Sequence, residues 1–397
     1  MIDESLVWTS DANGEEASPP SLRRRIGLYD TTLRDGEQTV GVAFDALDKL
    51  EIGLALDRLG IDRIEAGFPM VSAEDSRAYE LLLAAGLRAE LWGFARALPR
   101  DVHQLAELGV TNTVIEAPVS DKKLSAWGLE RSTVIERIGA AVDAAQEEGI
   151  RTCFFAVDAS RADRSFLAQA YRAATGAGAQ EVAAVDTLGV CTPETVGEFV
   201  ATIRDWVGDG IPIHWHGHDD FGLATAGALA AAAAGADWIH GTVNGMGERA
   251  GNTDLAQFAM AAEALYGSET GVDFSQLLEV ASLVQELAGY ELAPWKPLTG
   301  RNLFVRESGG VVAQFHEPSA IEPFAAALVG ADRGVALGKK SGAVSIRLKA
   351  DELGVPIPQG QEGELLERIK ELGARRRRVL TDDEFRRIVR SLSSNGG

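Results

Sequence analysis

Between about residues 25 and 267, short apolar runs alternate with longer segments in which apolar residues recur every three or four positions. The short runs predict β-strands. The longer segments, many of which end at a glycine, predict amphipathic helices, and residues 45–60 and 132–149 are the clearest of them. The predicted strands are 26–31, 62–67, 89–94, 112–117, 151–157, 181–185, 213–217 and 238–243. Strands and helices therefore alternate along the first two thirds of the chain.

Eight strand–helix units of this total length match a (β/α)8 TIM barrel, which typically has about 250 residues. A doubly wound open sheet is the alternative fold. It usually carries a glycine-rich fingerprint after its first strand, whereas this chain has "YDTTLRDGEQ" there. The pattern thus favours an α/β protein built on a TIM barrel.

The pattern changes beyond residue 267. Helical periodicity returns at 274–290, an irregular segment follows at 297–338, and further helices are predicted at 342–354 and 362–392. The predicted division is a flexible polar arm at 1–25, a catalytic barrel at 26–290, and a mostly helical lid at 291–397.

The overall charge narrows the range of partners. The chain has 38 basic and 59 acidic residues, a net charge of −21, and such a surface repels nucleic acid and anionic membranes. It has two cysteines and no apolar run near the roughly 20 residues of a membrane helix. No basic-then-apolar leader opens it. We expect a cytoplasmic enzyme or binding protein that contacts neither nucleic acid nor membrane.

Polar side chains stand at or just after the strand ends, where TIM barrels place their chemistry. Arg34 has the planar fork that binds carboxylates, although an ion pair with Glu65 is the alternative. Thr187 offers a hydroxyl, although it could cap a helix, a role for which Thr192 is better placed. The candidate substrate-binding residues are Arg34, Gln38, Glu65, Arg96, Ser120 and Thr187. For Glu65, Arg96 and Ser120, a purely structural role is an equally good interpretation.

"HWHGH" places His216 and His218 on the same side of a strand. With Asp35 from the first strand end they make a set of two histidines and one carboxylate, which leaves positions open for a chelating substrate. Asn252 could add an oxygen ligand. His214 lies deeper on the same side, where a hydrogen-bonded core histidine is expected.

Several spaced motifs carry a family resemblance. "DTTLRDGEQ", "IEAGFP", "VDTLG", "HGHDDFGLA" and "NGMGERAGN" resemble the DRE-TIM metallolyases, and within them the branch of homocitrate synthase and 2-isopropylmalate synthase. The resemblance continues to "GKKSG". "PVSD" and "HDDFGLATA" favour the homocitrate synthase side.

The resemblance implies a Claisen-type condensation of acetyl-CoA, or another acyl-CoA, with a 2-oxo acid. A divalent ion (Mg, Mn, Zn or Co) would be bound by Asp35, His216 and His218, with Asn252 as a fourth ligand. Arg34 and Thr187 would hold the 2-oxo acid. The family is usually homodimeric, and the region after the barrel covers the partner's active site.

Three motifs depart from the family. Val157 stands where the family has a glutamate. Arg306 and Val311 stand at two histidine positions, the second of which serves acetyl-CoA, and Lys340 replaces a further histidine. A rebuilt general base would have to come from elsewhere, with Glu307, His316 and Lys340 as candidates. A metal-dependent aldolase or lyase that does not use acetyl-CoA, and a non-catalytic barrel that binds a 2-oxo acid, are the alternatives.

Overall fold

The first eight strands form one closed barrel. They are β1 (Gly27–Asp30), β2 (Arg63–Glu65), β3 (Glu90–Arg96), β4 (Asn112–Pro118), β5 (Arg151–Val157), β6 (Glu181–Asp186), β7 (Ile213–Gly217) and β8 (Trp238–Gly241). Each strand pairs in parallel with the next, and β8 pairs in parallel with β1. The predicted TIM barrel is confirmed, because the β8–β1 pairing closes the sheet that the alternative fold would leave open.

The computed structural model describes residues 2–13 and 21–393, and two compact units are present. Of these residues, the barrel unit comprises 2, 10–13 and 21–292, and the second unit comprises 3–9 and 293–393. Residues 1 and 14–20 of the predicted arm lie outside the described residues. Within the described part of the chain, no helix is both long and apolar enough to span a membrane.

Ten helices connect or follow the described strands of the barrel unit. They are α1 (Ala46–Leu59), α2 (Ala73–Ala84), α3 (Pro99–Glu107), α4 (Asp121–Trp127), α5 (Arg131–Glu147), α6 (Arg164–Gly176), α7 (Pro193–Val207), α8 (Ala224–Ala233), α9 (Leu255–Tyr266) and α10 (Leu277–Ala288). Helix α1 is capped at its start by Asp45, whose carboxylate accepts from the backbone of Leu47 and Asp48, and at its end by Gly60 with φ 94°. The Thr192 hydroxyl accepts from the Thr195 N–H at the start of α7. The prediction that Thr192 rather than Thr187 caps this helix is confirmed.

The deep end of the barrel holds a buried polar cluster. Arg63 pairs with Glu181 through both terminal nitrogens, at 2.6 and 3.1 Å. His214 lies with Nε2 against Glu181 and with Nδ1 2.8 Å from Nε2 of His240, whose ring stacks on Tyr29. Because each charge here has a partner, the barrel tolerates ions in its core. His214 is the hydrogen-bonded core histidine that its depth predicts.

Glu181 should make the barrel sensitive to acid. Its pKa is lowered from 4.5 to about 2, because the hydrogen bond from His214 and the ion pair with Arg63 outweigh burial, which alone would raise it. A lowered carboxyl pKa gives stability that is present above pH 4.5 and is lost as the pH falls toward 2. It is worth about 3 kcal/mol at pH 7.

We therefore expect Glu181→Gln to have a free energy of unfolding about 3 kcal/mol below that of wild type at pH 7. At pH 4 this gap between the two proteins should be roughly 1 kcal/mol narrower. Urea unfolding at the two pH values measures this gap. An equal gap at both values would contradict the ionised, paired state of Glu181.

Three described non-glycine residues of the barrel unit have left-handed backbone, and all three lie in loops that follow strands. They are Asp158 (φ 64°), Asn244 (φ 60°) and Arg249 (φ 57°). This conformation costs roughly 1–2 kcal/mol for a residue with a Cβ. Side-chain bonds offset the cost: Asp158 pairs with Arg161, and Arg249 pairs with Asp220.

The second unit is mostly helical. It contains α11 (Gly309–Val312), α12 (Ala343–Glu352), α13 (Glu362–Arg376) and α14 (Asp382–Ser393), with the parallel pair β9 (Val305–Arg306) and β10 (Gly334–Val335). The segment predicted as helical at 362–392 is divided in two, because the backbone of Arg377 turns left-handed with φ 55° and ends α13. Residues of α12, α13 and α14 share an apolar core that includes Ile346, Ile369 and Phe385.

Candidate metal centre and active site

Asp35 after β1 and two histidines of the β7 segment come together at the mouth of the barrel. Asp35 Oδ2 lies 3.3 Å from His216 Nε2 and 3.7 Å from His218 Nε2, and the two Nε2 atoms are 3.3 Å apart. All three residues are buried, and the potential ligand atoms lie within 4.8 Å of one another. This is the group that the sequence predicts as metal ligands.

The hydrogen bonds around this group fit a cation. His218 Nδ1 lies 3.1 Å from the Gly251 carbonyl, which fixes the proton on Nδ1 and leaves the Nε2 lone pair facing Asp35. The Asn252 amide donates to the Met246 carbonyl at 2.9 Å, while its buried Oδ1 has no hydrogen-bond partner among the described residues. A carboxylate, two imidazole nitrogens and an amide oxygen are suitable donors for a divalent ion.

The charges of the group agree with that interpretation. Burial acts to raise the pKa of Asp35, but Arg34 and the two histidines hold it well below its usual range. Burial and the neighbouring His216 lower the pKa of His218 to about 4. At neutral pH the carboxylate is therefore ionised and His218 is neutral, the forms in which both residues bind metals.

Arg34 lies beside the group in a fixed orientation. Its Nε donates to Glu65 at 2.8 Å, its Nη1 lies 3.3 Å from Asp35 Oδ2, and its guanidinium stacks on Phe94 at 4.2 Å. Its buried Nη2 has no hydrogen-bond partner among the described residues. Glu65 also accepts from the Thr31 hydroxyl, so it braces Arg34 from the barrel interior.

Thr187 follows β6 on the metal side of the mouth. Its hydroxyl oxygen accepts from the Asp158 N–H at 2.8 Å, which leaves the hydroxyl hydrogen available as a donor. A substrate contact by Thr187 stays a prediction.

The other predicted substrate-binding residues either bond to protein groups or are exposed to solvent. Arg96 forms a two-bond ion pair with Asp101 at 2.7 and 3.1 Å. Ser120 is fully buried, donates to Asp158 and caps α4. Gln38 is exposed in the turn after Asp35. For Arg96 and Ser120 these contacts match the structural interpretation that the sequence left open.

The candidate bases belong to the second unit. Glu307 is fixed by the Lys340 N–H at 3.0 Å, and the Lys340 ammonium lies 3.8 Å away. His316 is exposed, and its Nδ1 lies 3.0 Å from the Ala313 carbonyl. A catalytic role for Glu307 or His316 stays a prediction.

Sequence reasoning missed Glu116, which lies in β4. It pairs in register with Arg96 on one side and Phe155 on the other. Burial raises its pKa to about 7, more than the nearby Arg34 and Arg96 lower it. A glutamate inside an apolar strand, two residues before Pro118, is the signal that could have revealed it.

Comparison with known proteins now adds to this geometry. The family model described as HMGL-like matches residues 25–284, which is more than half of the chain. The chain belongs to the HMGL-like family. It is 42% identical to "Homocitrate synthase AksA" of Methanopyrus kandleri, covering 95% of this chain and 94% of that protein. It is 40% identical to "Putative (R)-citramalate synthase CimA" of Archaeoglobus fulgidus, covering 93% and 75%.

A solved structure shares the barrel fold. Hydroxymethylglutaryl-CoA lyase from Pseudomonas aeruginosa superposes with a TM-score of 0.61 at 21% identity, over 68% of this chain and 95% of that one. The HMGL-like match contains Asp35, His216, His218 and all eight barrel strands. The resemblance to the DRE-TIM metallolyases predicted from the sequence is thereby confirmed.

Proposed function

We propose that the protein is an acyltransferase that condenses acetyl-CoA, or another acyl-CoA, with a 2-oxo acid to give a 2-hydroxy di- or tricarboxylate. The observation that carries the proposal is the convergence of Asp35, His216 and His218 beside Arg34, whose Nη2 has no hydrogen-bond partner in the described part of the chain. The names of the relatives, homocitrate synthase and citramalate synthase, support acyl-CoA as the second substrate.

Asp35, His216 and His218, with Asn252 as a fourth donor, would hold a divalent ion such as Mg, Mn, Zn or Co. When bound, such an ion supplies Lewis acidity to the ketone of the 2-oxo acid. Arg34 Nη2 stabilises the negative charge that develops on the ketone oxygen. The hydrogen bond from Arg34 Nε to Glu65 holds the guanidinium in position. Thr187 donates its hydroxyl hydrogen to the carboxylate of the acid.

The bonds made and broken follow from this arrangement. A base removes a proton from the acetyl methyl group, and that carbon bonds to the ketone carbon. The ketone oxygen takes up a proton to become a hydroxyl. Water then cleaves the thioester and CoA leaves as a free thiol.

Proton removal from the methyl group is the step for which the chain lacks the family's usual residues, since Val157 and Val311 occupy their positions. Glu307 and His316 are proposed as the replacement bases. The protein is further proposed to be a cytoplasmic homodimer in which the C-terminal region of one subunit covers the partner's barrel. Sedimentation of the full chain tests the dimer.

The first experiment is to supply metal-loaded protein with acetyl-CoA and one 2-oxo acid at a time, and to follow free thiol and product mass. Thiol release that requires one acid and stops with a chelator supports the proposal. Cleavage or aldol addition without any thiol release would favour the aldolase alternative. Binding of metal and acid without turnover would favour the non-catalytic one.

Thr187→Val should raise the KM for the 2-oxo acid by about 10- to 100-fold, because a hydrogen bond to a carboxylate is worth about 1.5–3 kcal/mol. The KM for acetyl-CoA should stay within about twofold. Thr187→Ser keeps the hydroxyl and is the matched control, so steady-state kinetics of the two variants decide the point. Equal losses in both variants would contradict this role.

A further inference from the structure

The mouth of the barrel has two chemically different sides. The metal group comes from β1, β7 and the segment after β8, and Thr187 follows β6. On the opposite side, β3, β4 and β5 direct Phe94, Glu116, Phe155 and Val157 inward. A 2-oxo acid bound through its ketone and carboxylate on the first side has its side chain on the second.

The inward direction of Glu116 follows from its neighbours. Paired residues of adjacent parallel strands point to the same side of the sheet, and Glu116 pairs with Phe155. The Phe155 ring lies 5.0 Å from the His216 ring and 6.5 Å from the Phe94 ring, centroid to centroid. Glu116 therefore belongs to the layer of side chains that borders the metal group.

Three arginines near this side of the mouth are each paired with a carboxylate. Arg96 is held by Asp101 in two bonds, and Arg34 is held by Glu65. Arg161, after β5, is paired with Asp158. The carboxylate of Glu116 is not the partner of any of these arginines.

We propose that Glu116 selects the substrate class: 2-oxo acids whose side chain is uncharged, with a second carboxylate excluded. This proposal rests on the proposed function, because it assumes a 2-oxo acid at the metal group. Phe94, Phe155 and Val157 are buried apolar side chains that would contact an uncharged substituent. Ionised Glu116 repels a carboxylate, so a second carboxylate binds beside it only if Glu116 takes up a proton. At pH 8, one unit above its pKa of about 7, that uptake lowers the affinity about tenfold.

The depth of Glu116 separates this role from that of a general base. Val157, at the family's glutamate position, pairs with Pro118, which is one inward-facing step nearer the mouth than Glu116. An acyl-CoA enters from the mouth. Glu116 thus lies level with the side chain of the 2-oxo acid and below the incoming methyl group.

The test uses two acids of matched shape, 2-oxoglutarate and 5-methyl-2-oxohexanoate, in which an isopropyl group replaces the distal carboxylate. Each is titrated calorimetrically into the metal-loaded full chain at pH 8, above the Glu116 pKa of about 7. Wild type should bind the uncharged acid at least about tenfold more tightly. Glu116→Gln should bring the two affinities within about threefold by improving 2-oxoglutarate. Glu107→Gln, on the exposed end of α3, is the control and should keep the wild-type ratio.

Other outcomes overturn the proposal. Equal or tighter binding of 2-oxoglutarate by wild type, an unchanged ratio in Glu116→Gln, or binding of neither acid would each do so. If Glu116→Gln loses thiol release with every acid while the binding ratio stays unchanged, Glu116 is a proton-transfer residue instead. Absence of thiol release with the expected binding ratio would sink the proposed reaction but leave the selectivity standing.

Discussion

Replacing His216 with alanine is expected to reduce 2-oxo-acid-dependent thiol release roughly a thousandfold or more, since a metal ion supplies several kcal/mol of charge stabilisation. The variant removes one of two imidazoles whose Nε2 atoms lie 3.3 Å apart, and Asp35 and His218, with the weak amide donor Asn252, make a poor site. Thiol release and metal content, measured by mass spectrometry after gel filtration, should fall together.

His103→Ala provides the control for this experiment. His103 is an exposed histidine of α3 that lies 2.9 Å from a Glu148 oxygen, and its loss should leave metal content and rate within about twofold. A His216→Ala protein that keeps a full equivalent of metal and a tenth of the activity would show that the metal group is misassigned.

Arg34→Lys should lower kcat by about 100- to 1000-fold, the loss typical for one donor to a developing oxyanion. Lysine retains the positive charge beside the buried Glu65, so the fold should survive. However, it lacks the planar fork that reaches Glu65, Asp35 and the ketone oxygen together. Alanine is the poorer test, because it leaves Glu65 as an unpaired buried charge.

The measurement is kcat at saturating substrates, together with the affinity for metal, which should change little. Arg58→Lys, at an exposed arginine of α1, is the matched control. A loss of less than tenfold in Arg34→Lys, or a loss equal to that in Arg58→Lys, would rule out a role for Arg34 in charge stabilisation.

The barrel could be predicted because its signal is periodic and local. Each predicted strand lies within about three residues of an observed one, since a buried parallel strand is an apolar run bounded by turns. The metal group could also be predicted, because two histidines two positions apart in extended backbone, at and just after the end of β7, face the same side. Asp35 joins them since β1 neighbours β8, which neighbours β7.

The partners of the remaining charged residues could not be predicted. Whether Arg96 faces substrate or Asp101 depends on side-chain geometry after the strand, and the sequence supports both. For Ser120, the sequence likewise supports both a contact with a ligand and the N-cap of α4. Glu116 was missed because its direction depends on its register with Phe155 on the next strand, which no local pattern contains.

The left-handed residues in the loops at the barrel mouth affect which residues related proteins are expected to share. Asp158 and Arg249 hold left-handed backbones because each has a charged partner, Arg161 and Asp220 respectively. Loss of one member leaves the other with an unpaired charge, or leaves the loop strained without compensation. We therefore expect substitutions at these positions to be tolerated better in pairs than singly, although neither member has to touch a substrate. Their retention among relatives would therefore record the shape of the loops and would not identify a catalytic group.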